Sequence, residues 1–216
     1  MIKLGALLIQ NIDWSPVLSH RVTLPQEGSQ LTKGEVTRLR LLKHACHEFA
    51  RLGFHSTKVS NIVKASGLSQ PTFYIYFDSK EAAYEELVHE FRRRLRIITK
   101  DLLIQKPIGG EALVKSLQYS FITFLSFLAE DPDLTEIGLF QPPGCTETKA
   151  SLAVWIADNI AQEQELGVFS KDVDALTIAR CFVGMIDQAA RVPRDEMILE
   201  ELAMGCARVL CRGIGM

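Results

Sequence analysis

Between Ser69 and Glu81 the chain reads SQPTFYIYFDSKE. Two kinds of side chain are interleaved there. Ser69, Gln70, Thr72, Tyr74 and Tyr76 carry hydrogen-bonding heads, while Phe73 and Phe77 carry none. A Gln amide can bond the edge of adenine in a bidentate way, and a Thr methyl can meet the methyl of thymine. Lys58, Lys64 and Lys80 flank the stretch and supply charge that neutralises phosphates. The chemistry available to this set is recognition by hydrogen bonds and charge, because no nucleophile stands beside a base. The rest of the chain has no Gly-x-Ser-x-Gly, no phosphate-binding loop, no His-Glu-x-x-His and no Gly-x-Gly-x-x-Gly. Neither an enzymatic activity nor a bound cofactor is therefore expected.

Groups that must face one target need a small rigid frame, and the flanking sequence supplies one. Glu35 to Leu52 has apolar residues at helical spacing and stops at Gly53. Thr57 to Ala65 reads as a short helix with Thr57 as N-cap and Val59, Ile62 and Val63 inward, stopped by Ser66-Gly67. Ser69 to Tyr74 reads as another, with Ser69 as N-cap and Pro71 in the first turn, where a missing N–H costs little. Gly67 can take the left-handed conformation of a tight turn. Two short helices joined this way, braced by a longer one, form a helix-turn-helix unit whose second helix enters the major groove.

The elements beyond it are helical too. A long helix is expected from Asp78/Ser79 to about Gln105, then Glu111–Ala129, a short piece near Leu134–Phe140, Thr146–Leu166, Val173–Arg191 and Glu196–Leu210. Strand alternation and internal repeats are absent from the sequence. The fold class expected is all-α, with about nine helices.

At fixed spacing, Phe49, Gly53-Phe54, Thr57, Gly67-Leu68-Ser69, Thr72-Phe73-Tyr74, Tyr76-Phe77 and Ser79-Lys80-Glu81 follow one pattern. The run from Arg38 to Leu87 thereby resembles the DNA-binding domain of TetR-family transcriptional regulators. It departs from the family at Val63, where Ala is usual, and in a leader longer than most members carry. Residues 1–33 mix short apolar pieces with Pro and Gly without a sustained period and read as an irregular arm. The resemblance implies a DNA-binding domain over 34–80 and an effector-binding and dimerisation domain over 81–216. It implies that Gln70, Pro71, Thr72, Tyr74 and Tyr76 meet bases or phosphates, and that Thr57 and Lys80 hold the DNA backbone, with Lys58 and Ser69 beside them. Phe73 and Phe77 are implied as core. The function implied is a ligand-responsive repressor, acting as a homodimer on a pseudo-palindromic operator. The other reading is a helical interaction protein of the same fold that has lost DNA binding.

Charge and composition fit this picture. Residues 33–100 hold 13 Lys/Arg against 7 Asp/Glu, and residues 101–216 hold 9 against 17. A basic third joined to an acidic remainder is expected when one part meets a polyanion. The five Cys residues (46, 145, 181, 206, 211) form no Cys-x-x-Cys pair and read as reduced thiols, which suits a cytoplasmic protein. The apolar run Leu4–Ile9 is short for a signal peptide, and no segment reads as long enough to span a bilayer.

His44, Cys46 and His47 lack a third ligand at metal-binding spacing, so a structural role is the simpler reading and no metal is expected. Cys145 is expected in a loop, where it could sense redox state. The basic run 91–100 reads as a solvated helix face. An effector, partly apolar, would have to be lined by some of the aromatic residues Phe121, Phe124, Phe140 and Trp155.

Overall fold

The computed structural model describes residues 31–192 and 196–214. Among these, the chain forms nine α-helices and no strand: α1 (Lys33–Leu52), α2 (Val59–Ser66), α3 (Gln70–Tyr76), α4 (Lys80–Asp101), α5 (Gly110–Glu130), α6 (Pro132–Thr135), α7 (Gly144–Glu165), α8 (Ala175–Ala189) and α9 (Glu196–Ile214). A π-helical turn, Glu136–Phe140, continues α6. Packing groups the chain into two compact units. The first runs to Phe91 and includes Glu130–Gly144; the second comprises Arg92–Ala129 and the chain from Cys145 onward. The unit carrying the helix-turn-helix therefore reaches beyond segment 34–80. The expected arm over 1–33 lies outside the described residues except at its end.

That end is ordered by a reciprocal cap. The Thr32 hydroxyl oxygen accepts from Glu35 N–H, and the Glu35 carboxylate accepts from Thr32 N–H at 2.7 Å, so two orphan donors at the start of α1 are satisfied. α1 then buries Leu41, Leu42, Ala45, Cys46 and Phe49, the 3–4 spacing expected of an inward stripe. Burial pushes the Cys46 thiol well above its usual range, as befits a core cysteine.

The first unit also receives the excursion between α5 and α7. Tyr84 on α4 donates its hydroxyl to Ile137 O at 3.1 Å and accepts from Gly144 N–H at 3.0 Å. Gln141 donates to Ala50 O at 2.9 Å, and His47 Nδ1 meets Asp133 Oδ2 at 2.9 Å. Gly138 is required by closeness: a Cβ there would lie 2.5 Å from the Phe91 ring.

In the second unit α5 is the central helix, burying Leu113, Leu117, Phe121, Phe124, Leu125 and Leu128. By length and composition α5 could cross a bilayer, contrary to the expectation that no segment could. Its apolar face is instead used as core. Phe121 stacks on Phe182 of α8, with centroids 4.4 Å apart. The 91–100 run is solvated in part: Arg96, Ile97 and Lys100 are exposed, while Arg92 and Arg94 are half-buried. Arg92 bonds Thr148 and Glu147, Arg94 lies over the Phe127 ring and Arg96 over Trp155.

Candidate nucleic-acid interface

The turn between α2 and α3 is built by Gly67, whose φ of 67° is left-handed. Its N–H and that of Leu68 return to the α2 carbonyls, and Leu68 N–H reaches Val63 O at 2.9 Å. This Schellman-type end reverses the chain into α3. Ser69 caps α3 through its hydroxyl, which accepts from Thr72 N–H at 3.3 Å and pairs with the Thr72 hydroxyl at 2.8 Å.

Helical period then sorts the side chains of α3. Phe73 and, just past the helix, Phe77 are buried, with their rings 5.4 Å apart. Gln70, Pro71, Tyr74 and Ile75 form the opposite, exposed face. Tyr74 is 54% exposed and Ile75 is 75% exposed. Those are large values for apolar or amphipathic side chains on a packed unit, and they define the outward surface. Thr72 and Tyr76 are half-buried. Tyr76 leans back toward α1, where a Cβ on Gly34 would lie 3.6 Å from its hydroxyl.

The flanking positions divide. Lys58 is exposed and occupies the N-cap of α2, a place expected for Thr57; Asn61 Oδ1 accepts from its N–H at 2.9 Å. Thr57 is 1% exposed. Its hydroxyl donates inward, to Gly53 O at 2.8 Å and Glu48 O at 3.1 Å, so it fastens the α1–α2 connection. Lys80 is likewise turned onto the protein. Its ammonium donates to Phe54 O and Thr57 O, both at 2.9 Å, and sits 4.6 Å from the centre of the Phe54 ring. The two residues expected on the DNA backbone thus have their polar heads committed to the same loop. Arg40, exposed on α1, comes close to the turn: its guanidinium lies 3.2 Å from where a Gly67 Cβ would be. Arg40 and Ile75 were not anticipated from sequence. Arg40 reaches the turn through tertiary packing, whereas the position of Ile75, one past Tyr74 on a short helix, did signal an outward side chain.

Residues 41–87 match the model of the family described as "Bacterial regulatory proteins, tetR family". The chain is 44% identical over 156 residues to the HTH-type transcriptional regulator YdgC of Bacillus subtilis, covering 72% of this chain and 80% of that one. The chain belongs to the TetR family of transcriptional regulators. It is similar to the structure of Salmonella enterica GusR, at 25% identity and a TM-score of 0.59 over 85% of this chain and 98% of that one. The fold is also that of the fatty acid degradation regulator FadR from Bacillus halodurans, with a TM-score of 0.66, 17% identity, and 86% and 98% of the two chains covered. Its relatives in the TetR family are DNA-binding regulators of transcription and not enzymes.

Within this TetR-family chain, the second unit holds a partly open cavity of about 50 Å³. Phe124 lines it, together with Ile156, Ile160, Phe169 and Phe182. The other aromatic residues expected to line an effector site do not. Phe121 is closed off by its stack on Phe182, Phe140 belongs to the π-helical turn of the first unit, and Trp155 lies half-buried under Arg96. The polar residues at the cavity were not foreseen: Thr99, Ser120, Asn159 and Glu163. Cys145 is in the first turn of α7 rather than in a loop. No cluster of three His, Cys, Asp or Glu side chains able to hold a metal occurs among the described residues.

Proposed function

We propose that this regulator is a ligand-responsive repressor that binds a pseudo-palindromic operator as a homodimer. The observation that carries the reading is the exposed face of α3, Gln70, Pro71, Tyr74 and Ile75, held from behind by buried Phe73 and Phe77. Gln70 and Thr72 read base edges, Tyr74 and Ile75 supply apolar contact to base methyls and sugars, and Tyr76 meets the DNA from the exit of the helix. Ser69 positions Thr72. Lys58, Lys64 and Arg40 neutralise phosphates on either side. Thr57 and Lys80 act at one remove, by fixing the loop that sets the angle of α2. The protein acts on DNA in the cytoplasm and needs no cofactor.

The dimer surface is assigned to α8 and α9. Gly184 and Gly205 lie inside these helices with nothing within 4 Å of a built Cβ. A glycine there costs its helix roughly 1 kcal/mol relative to alanine. A second copy packed against those faces gives the cost a purpose, and Val209, which is exposed on α9, would be covered by it. The second unit binds the effector. An effector that binds better to a state with mis-spaced reading helices releases the dimer, and a nearly complete switch requires about a 10⁴-fold preference.

The test is selection of bound duplexes from a random pool, followed by anisotropy titration of Tyr74→Ala on the selected site at fixed salt. The variant should bind about 1–3 kcal/mol more weakly while its circular dichroism is unchanged. Unchanged affinity would remove α3 as the reading helix, and a pool with no enriched sequence would favour an interaction protein that has lost DNA binding.

A further inference from the structure

The cavity in the second unit carries a chemical signature that its apolar walls do not need. Glu163, on α7, lines it and is 5% exposed. One carboxylate oxygen accepts from Ile104 N–H at 2.9 Å, just beyond the end of α4. The other accepts no hydrogen bond among the described residues and keeps some solvent access. Burial pushes the carboxyl up from its usual 4.5 to about 6, against the opposing pull of the Ile104 N–H. At neutral pH the site therefore holds a carboxylate that is largely shielded from water and accepts from a single neutral donor.

The other polar groups lining the cavity sharpen this. The Thr99 hydroxyl donates to Leu95 O, the Ser120 hydroxyl to Ser116 O, and the Asn159 amide to Thr99 O at 2.7 Å. The two hydroxyl protons and one of the two Asn159 amide N–H groups are thus used within the protein, so what remains to a visitor is one amide N–H set against several acceptors: the second Glu163 oxygen, the Asn159 carbonyl oxygen and hydroxyl lone pairs. No Lys, Arg or His lines the cavity. An anion would meet a like charge with nothing to offset it. A neutral acceptor would find at most the second Asn159 N–H. A cation would find a counter-ion, acceptors for its N–H groups, and the faces of Phe124 and Phe182 within the same walls.

We infer that the cavity beside Glu163 is the subsite for the amine or ammonium head of a small, largely apolar effector, with the Glu163 carboxylate as its counter-ion. This rests on the effector-binding role proposed above for the second unit and names the chemistry of its ligand. The space of about 50 Å³ holds no more than the head group and a carbon or two. Seating the rest must part the packing of Phe124 against Phe182, whose rings are 5.9 Å apart and edge to face. The ligand thus selects an expanded form of the second unit, which is the differential binding an effector requires. Glu163 tethers the segment directly after α4, and α4 is the helix that runs on from the first unit.

Three probes with one body and different heads test this on the full-length dimer: phenylbutylamine, phenylbutanol and phenylbutanoate. Affinities are measured by titration calorimetry near neutral pH, and release of the selected operator duplex is followed by anisotropy. The amine should bind the wild-type protein about ten-fold or more tighter than the alcohol, with the acid weakest, because a hydrogen bond to a charged partner outweighs a neutral one by that order. In Glu163→Gln, which keeps an oxygen for Ile104 N–H, the advantage of the amine should shrink to about two-fold or less. The alcohol or acid matching the amine on wild type would overturn the cationic assignment; if that probe still released DNA, the effector role would stand. Persistence of the preference in Glu163→Gln would also overturn it. Failure of all three probes to bind would overturn both the subsite and the effector role of this cavity. The wild-type comparison decides even if the variant folds poorly.

Discussion

Glu163→Gln gives the sharpest thermodynamic prediction. The folded carboxyl holds its proton up to about pH 6, whereas in the unfolded chain it lets go near 4.5. Between those values the native state binds more protons than the unfolded state, so this group makes stability fall as pH rises. Its contribution is intact below about 4.5, is lost across the window to 6, and above it the buried charge costs about 2 kcal/mol, from roughly 1.36 kcal/mol per pH unit over a 1.5-unit gap. The glutamine carries no charge and keeps the acceptor for Ile104, so it escapes that cost, less the modest cost of an amide N–H left without a partner. Urea unfolding followed at equal protomer concentration, with the fluorescence of Trp155 as one reporter, measures the difference. The stability of the variant relative to wild type should grow by about 1 kcal/mol between about pH 5 and about pH 7.5. A gap that stays flat with pH, or moves the other way, would show that Glu163 is solvated in the folded protein and that the desolvation argument is wrong.

Other residues give simpler outcomes. Lys80→Met keeps the aliphatic stem but removes the ammonium that bonds Phe54 O and Thr57 O, so it should lower stability by about 1–2 kcal/mol. The slope of log Kd against log salt should stay unchanged, and a fall of about one would place Lys80 on a phosphate instead. Gly138→Ala puts a methyl 2.5 Å from the Phe91 ring and should cost about 1–3 kcal/mol in thermal or urea unfolding. Val209→Asp on the exposed side of α9 should yield a folded monomer by sedimentation; a dimer of normal affinity would move the interface elsewhere.

The parts legible in the sequence were those in which local chemistry and packing agree. Phe73 and Phe77 could be assigned inward because the family resemblance implies them as core, and Gly67 because a tight turn needs a left-handed residue. Helix ends were legible to within a few residues wherever a Thr, Ser, Pro or Gly marked them. The ends of α4 and α9 were each missed by four residues, α9 running to Ile214 instead of Leu210. α4 ends at Asp101 instead of about Gln105, and in the segment beyond it Ile104 N–H bonds Glu163, 59 residues away. Thr57 looked like an N-cap with a free hydroxyl, but carbonyls of Glu48 and Gly53 reach it first. Lys80 looked like a surface charge, but the loop before α2 offers its carbonyls to it. The cavity was the least legible. Glu163 sits in AQEQEL, which reads as a solvated helix face until the chain after α4 is laid over it. Phe121 and Phe124 are three apart on α5 and look equivalent, yet only Phe124 reaches the cavity.

Recognition rests on one surface, the exposed side of a seven-residue helix backed by two buried rings. Selection from random duplexes with the wild-type protein, then anisotropy with wild type and Tyr74→Ala on the enriched site, tests it most directly. The wild-type protein should select a pseudo-palindrome with half-sites about one helical turn or a multiple apart, and a folded Tyr74→Ala should lose roughly five- to 150-fold in affinity. Equal affinity of the two proteins for that site, or no enriched sequence at all, would contradict it.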